Sequence, residues 1–133
     1  MTHLDTVKHY YDCFNRQDWA GMLADLHPDV RHDINQGETQ VGLDAYRAFL
    51  QHMDECYHET LEDLVFMADT SGNRFACEFT VKGTYKKTDG NLPPAHGQTY
   101  TLPAGAFLEI RDGKIYRVTT FYNLPDWIKM VSA

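Results

Sequence analysis

The period of the hydrophobic residues changes partway along this chain, and that change limits its architecture more than any other feature. Up to Tyr57 the apolar side chains recur at three- and four-residue steps, and from Leu61 onward they alternate, as strands do. Leu4, Val7, Tyr10, Tyr11 and Phe14 specify an amphipathic helix over Leu4 to Arg16. Asp18 stands as the N-cap of a second helix that turns Trp19, Met22, Leu23 and Leu26 inward and that Pro28 stops. Asp29 to Gly37 reads as a strand ended by a glycine turn, and Thr39 to Val41 as a short extended piece. Gly42 then precedes a third helix striped by Leu43, Tyr46, Phe49, Leu50, Met53 and Tyr57.

Beyond that point come strands. Leu61 to Ala68 is apolar-rich, Ser71-Gly72-Asn73 is a turn, and Phe75, Cys77, Phe79 and Val81 alternate with Ala76, Glu78, Thr80 and Lys82. A loop over Asp89 to Pro94 leads to a strand from Gln98 to Ile110. A hairpin turn at Arg111-Asp112-Gly113-Lys114 leads to a last strand, Ile115 to Tyr122, and Pro125-Asp126-Trp127 starts a closing turn of helix. Helices followed by consecutive strands spell one α+β domain over residues 1–133: a curved antiparallel sheet wrapped around three N-terminal helices. A sheet curved in that way encloses a cone-shaped cavity, whose mouth suits a small ligand.

Charge and cysteine content exclude several classes. A net charge of −7 argues against nucleic acid or an anionic membrane as the main partner, because both require clustered Lys and Arg. Cys13, Cys56 and Cys77 are odd in number and widely spaced, with no Cys-x-x-Cys pair, so reduced thiols in a cytoplasmic protein are expected. The first residues lack the basic and apolar regions of a signal peptide, and no stretch is apolar for long enough to span a membrane.

Asp33 is the residue that asks for an explanation, because Asp is depleted in strands. Alternation places Val30, His32 and Ile34 on one face and Arg31, Asp33 and Asn35 on the other. Asp33 points either to water or into a cavity, where desolvation would raise its pKa and make it a candidate base. His32 then falls on the opposite face, as a histidine hydrogen-bonded under a helix. Asn35 could orient a ligand or cap the turn, and Glu78 reads as a solvated acid. Tyr57, His58, Tyr100, Tyr122, Asn123 and Trp127 are candidates for the cavity mouth, with Tyr122 and Trp127 favoured. No metal is expected: Glu55-x-x-His58 has no second copy and no His-x-x-x-His pair occurs. Without a Gly-x-Ser-x-Gly turn or a glycine-rich phosphate loop, acyl transfer and nucleotide binding have no support.

Several segments carry a resemblance. Phe14-Asn15-Arg16-Gln17-Asp18-Trp19, His32-Asp33-Ile34-Asn35-Gln36-Gly37, Leu102-Pro103-Ala104-Gly105-Ala106-Phe107 and Val118 to Trp127 are similar to segments of the nuclear transport factor 2-like superfamily, within it the SnoaL-like and ketosteroid-isomerase-related proteins. The resemblance implies a catalytic Asp at Asp33 and an oxyanion-binding phenol at Tyr10, eight residues before Asp18. The second acid of true ketosteroid isomerases would fall at Gly105, so steroid isomerisation by the familiar arrangement is not expected. The reading that follows is a cofactor-independent, isomerase- or cyclase-like enzyme. Asp33 and Tyr10 would act by proton abstraction on a small apolar carbonyl compound, with Asn35, Tyr57, Tyr122 and Trp127 around it. The alternative is a noncatalytic ligand-binding or dimerisation module of the same fold, and a homodimer is expected under either.

Overall fold

A computed structural model describes residues 2–132. Helix α1 (His3–Asn15) begins at a reciprocal cap: the Thr2 hydroxyl accepts from the Asp5 amide at 3.1 Å, and the Asp5 carboxylate accepts from the Thr2 amide at 3.0 Å. Asp18 caps α2 (Trp19–Ala24) by accepting from the Gly21 amide at 2.9 Å. That helix is shorter than its apolar spacing implied. Leu26 already belongs to strand β1 (Leu26–Asp33), and Pro28 lies inside the strand rather than ending the helix. The proline is tolerated because the pairing of β1 with its long neighbour is irregular between Leu26 and Arg31, where a missing amide breaks no ladder bond.

After β2 (Thr39–Val41), helix α3 (Leu43–Cys56) runs directly into β3 (Tyr57–Ala68). Tyr57, the last member of the helical stripe by spacing, has extended dihedrals of φ −135° and ψ 153° and opens the strand instead. Strands β4 (Arg74–Tyr85), β5 (Thr99–Arg111) and β6 (Lys114–Tyr122) follow, and α4 (Leu124–Ser132) makes a full helix where the sequence promised a turn.

The six strands form one sheet in the order β2-β1-β6-β5-β4-β3. All neighbours are antiparallel except β1 and β6, which run parallel, so the expected antiparallel sheet is a mixed one. The cause is the long excursion through α3, β3, β4 and β5, after which the chain returns beside β1 travelling in the same direction. The register of β3 on β4 shifts between Glu62 and Val65, with Asp63 at φ 53°, and such a bulge bends and twists the strand. The concave face buries Phe75, Cys77, Phe79, Val81, Leu108 and Ile115 against the helices. The convex face exposes Val65, Met67 and the edge-on pair Phe107 and Phe121, whose ring centroids are 6.0 Å apart. All three cysteines are free and buried, and no helix of the described residues is long and apolar enough to cross a membrane.

Space is short at Gly21 of α2, where an added Cβ would lie 2.5 Å from Asp18 Oδ2 and 2.6 Å from Cys13 Sγ. Gly21→Ala is therefore expected to lower the unfolding free energy by about 1–3 kcal/mol, measured by urea denaturation, since overpacking forces either the cap or α1 to move.

Candidate active site

Between the helices and the concave sheet face lies a cavity of about 450 Å³, walled mainly by aromatic and aliphatic side chains. Strand β1 sends His32 into it, in phase with Val30 and Ile34. The imidazole lies against the Tyr46 ring, centroids 4.5 Å apart and 32° between planes, and meets Phe49 edge-on at 4.5 Å. Nδ1 is buried without a hydrogen-bond partner among the described residues, which leaves Nε2 as the nitrogen able to reach a ligand. Burial holds this histidine at a pKa of about 4, so the ring is neutral near pH 7 and offers a donor without carrying a charge.

Beside it the phenols of Tyr10, from α1, and Tyr46, from α3, share a short hydrogen bond. Burial raises both above the ordinary tyrosine value, so both keep their protons. One hydroxyl satisfies the other, and the second proton is left for whatever occupies the cavity.

Two acids line this cavity, Asp89 at the mouth and Glu59 among the buried walls. Glu59 sits in the inward phase of β3 between Tyr57 and Leu61, and desolvation raises its carboxyl while the Tyr100 hydroxyl, donating to Oε2 at 2.6 Å, pulls it partly back down. Tyr100 can lie across the sheet only because Gly83 is its partner in the ladder: a Cβ there would come within 2.4 Å of the ring. Phe49 links the two polar ends, touching His32 and sharing a smaller side hollow with Glu59.

At the mouth, the Asn35 side chain donates to the Tyr122 carbonyl at 2.8 Å, pinning the end of β1 to the end of β6. Trp127 from α4 packs edge-on against Tyr85, centroids 4.9 Å apart, and near Tyr57 and Tyr100. Tyr57 donates to Asp89 at 2.7 Å, and His52 stands 2.7 Å from the same carboxylate. Tyr10, Asn35, Tyr57, Tyr122 and Trp127 all line the cavity; Asn35 does so because β1 ends at Asp33, so it no longer shares that residue's face.

Asp33 does not. It projects from the convex face, where its carboxylate accepts from Arg31 Nε at 3.0 Å and Nη2 at 2.9 Å, from Thr39 of β2 at 2.8 Å, and from the Thr119 hydroxyl of β6. The Arg31 guanidinium, first among these, holds the carboxyl well below the usual carboxylate range, the opposite of a poised base. The alternation was legible, but the helices cover the other face. Gly105 needs the same correction: its neighbours Ala104 and Ala106 turn inward, so an acid at 105 would face outward and its absence says nothing about the cavity. Glu78 is exposed, and Glu55 pairs with Lys87 rather than with His58. Sequence reasoning read His32 as a histidine hydrogen-bonded under a helix, whereas it faces the cavity with Nδ1 unpartnered among the described residues; it took Tyr46 only as part of an apolar stripe and passed over Glu59. The signal was present in each case, as a polar group in phase with an apolar series.

Comparison with known proteins agrees with this architecture. The model of the SnoaL-like domain matches residues 7–118. A proposed polyketide cyclase from Pseudomonas putida is 52% identical over 98% of both chains, with a TM-score of 0.97. A second from Xanthomonas campestris is 50% identical over 97% of this chain and 96% of its own, with a TM-score of 0.94. A third, from a Silicibacter species, is 52% identical over 98% and 96%, with a TM-score of 0.96. No curated protein matches the chain.

Two measurements check the placement of these side chains. Because the His32 pKa is lowered from 6.5 to about 4, the unfolded chain binds the extra proton first, and stability falls as pH drops through that window. Stability curves should lose roughly 3 kcal/mol between pH 7 and 4 through this residue, and His32→Gln should flatten that limb. Asp33→Asn should cost roughly 1–2 kcal/mol at pH 7 by unclamping three strands, with the cavity intact.

Proposed function

The chain belongs to the SnoaL-like domain family of the nuclear transport factor 2-like superfamily, and on that premise we propose that it catalyses proton transfer on a small, mostly apolar carbonyl compound, as an isomerase or a polyketide cyclase would. One observation carries the reading: a desolvated carboxyl and a set of neutral hydrogen-bond donors open on the same apolar cavity. The relatives at 50% identity and above, themselves proposed polyketide cyclases, support the substrate class.

In this scheme the ligand carbonyl oxygen faces Tyr10, Tyr46 and His32, and the carbon next to it faces Glu59. The carboxylate takes the proton, the C–H electron pair moves into the carbonyl, and the developing oxyanion is met by a phenol O–H and the imidazole N–H. Glu59 suits the task because burial brings its basicity toward neutral pH. His32 suits the donor role because a ring kept neutral gives a hydrogen bond without itself surrendering a proton. Where the enolate is conjugated the proton returns to a different carbon, giving an isomer; otherwise the enolate carbon attacks a second carbonyl of the same molecule, whose π pair becomes an alkoxide that takes the proton from Glu59, giving a ring. The apolar walls contribute binding at roughly 25 cal/mol per Å² covered.

Proton exchange of 2-tetralone in deuterium oxide, followed by proton NMR, tests the assignment. The wild-type protein should accelerate the loss of the α-proton signal. Glu59→Gln should reduce that acceleration by about 10²–10⁴-fold and Tyr10→Phe by about 10²-fold, while Asp33→Asn retains it. Binding of 2-naphthol, a stable enol mimic, without any acceleration of exchange would leave a noncatalytic binding module in place of an enzyme. Stability gives a second readout. A carboxyl raised by burial loses its proton more readily in the unfolded chain, so its contribution falls as pH climbs above 4.5. Glu59→Gln should accordingly raise the melting temperature at pH 7 and above.

A further inference from the structure

The cavity mouth holds a cluster that proton transfer does not use. His52 Nε2, Cys56 Sγ and an Asp89 carboxylate oxygen lie within 4.8 Å of one another. His52 and Cys56 are one turn apart on α3, hence side by side on one face. Asp89 arrives from the loop after β4, which is pinned: its amide donates to the Tyr85 hydroxyl at 3.0 Å and its carbonyl accepts from the Leu92 amide at 3.0 Å. The Tyr57 hydroxyl occupies Asp89 Oδ2 at 2.7 Å and leaves Oδ1 turned toward His52, at 2.7 Å.

The direction of approach matters most. In a catalytic relay the carboxylate would take one imidazole nitrogen and the thiol the other. Here the Asp89 oxygen and the Cys56 sulfur, the latter at 4.0 Å, both approach the same Nε2, which can share only one hydrogen. Three donor atoms converging on one point is a coordination pattern. We propose that His52, Cys56 and Asp89 form a three-ligand site for a zinc-like divalent ion at the cavity mouth, with Tyr57 orienting the carboxylate.

The dimensions suit it. Bond lengths of about 2.3 Å to sulfur and 2.0–2.2 Å to nitrogen and oxygen give donor separations of about 3.3–3.7 Å. The two separations from His52, 2.7 and 4.0 Å, straddle that range and that between Cys56 and Asp89 is within 4.8 Å, so side-chain shifts of roughly 1 Å close the site. The mixed S, N and O donors select a borderline-soft metal over magnesium or calcium. On binding, the Cys56 S–H bond breaks, its proton leaves to solvent and a sulfur–metal bond forms, so affinity rises with pH. His52 and Asp89 line the cavity, so the open fourth position faces it and would accept water or a ligand oxygen.

The same residue types meet a second time, which provides a control. His9 lies 2.6 Å from Asp25, but Cys13 Sγ is 3.8 and 3.5 Å from the two ring nitrogens, and Arg16 Nη2 donates to it at 3.4 Å. A guanidinium against the thiol opposes a metal cation there.

Titration of the full-length, chelator-stripped and reduced protein with cobalt(II) decides the matter. The wild type should develop a thiolate-to-cobalt charge-transfer band that saturates at one equivalent and is displaced by zinc. Cys56→Ser should abolish the band, Tyr57→Phe should weaken cobalt affinity by about tenfold, and Cys13→Ser should leave both unchanged. His52→Ala, at a half-exposed helix position, removes a ligand with little risk to the fold and should also abolish the band. A wild type that stays without the band at saturating cobalt, or a band that survives Cys56→Ser or His52→Ala, overturns the proposal.

Discussion

The Asp33 carboxylate joins three strands. Arg31 of its own strand, Thr39 of β2 and Thr119 of β6 all donate to it on the convex face. Side chains of a strand alternate, so fixing Asp33 outward fixes His32 inward, and a slip of one residue would exchange them. The parallel pairing of β1 with β6, the least expected feature of the sheet, is anchored at this point, where Asp33 is directly opposite Thr119. The cavity wall at His32 and the clamp behind it are two faces of one strand.

Burial then governs the chemistry in front of that strand. His32 stays neutral because charging it in an apolar cavity is unfavourable, the Tyr10 and Tyr46 phenols stay protonated for the same reason, and Glu59 moves toward neutral pH. A site that takes a proton and steadies an oxyanion needs these same departures, and near neutral pH it is the Glu59 shift that opposes folding, because the imidazole and the phenols are mostly uncharged in the unfolded chain as well. Tyr100 and Gly83 show how the sheet accommodates the arrangement: a strand position without a side chain lets an aromatic ring lie flat and deliver its hydroxyl to the acid.

Depth and mouth differ in character. The interior polar groups are few and held by burial, whereas the mouth collects His52, Cys56 and Asp89 around ordinary hydrogen bonds at the meeting of α3 and a loop. A spacing of four residues on a helix places any two such side chains together, and His-x-x-x-Cys is as available to the eye as His-x-x-x-His. The third member, Asp89, is 33 residues beyond Cys56, and only the fold could supply it.

Much of the architecture was written in the local pattern. The change from helical to alternating spacing gave the three helices, the order of the strands along the chain, the cap at Asp18 and the hairpin at Asp112-Gly113, because these depend on neighbours within a few residues. The resemblance that those segments carry led to the family and, through it, to Tyr10. Period alone assigned Val30, His32 and Ile34 to one face and Arg31, Asp33 and Asn35 to the other, which holds as far as Asp33, where β1 ends and Asn35 turns to the cavity, but an alternating pattern has no inside until something covers it. The helices and the returning strand β6 made that choice, by packing against His32 and by offering Thr119 to Asp33. The face that becomes a cavity and the acid that loses its water are set by contacts between residues far apart in the chain, which no local spacing encodes.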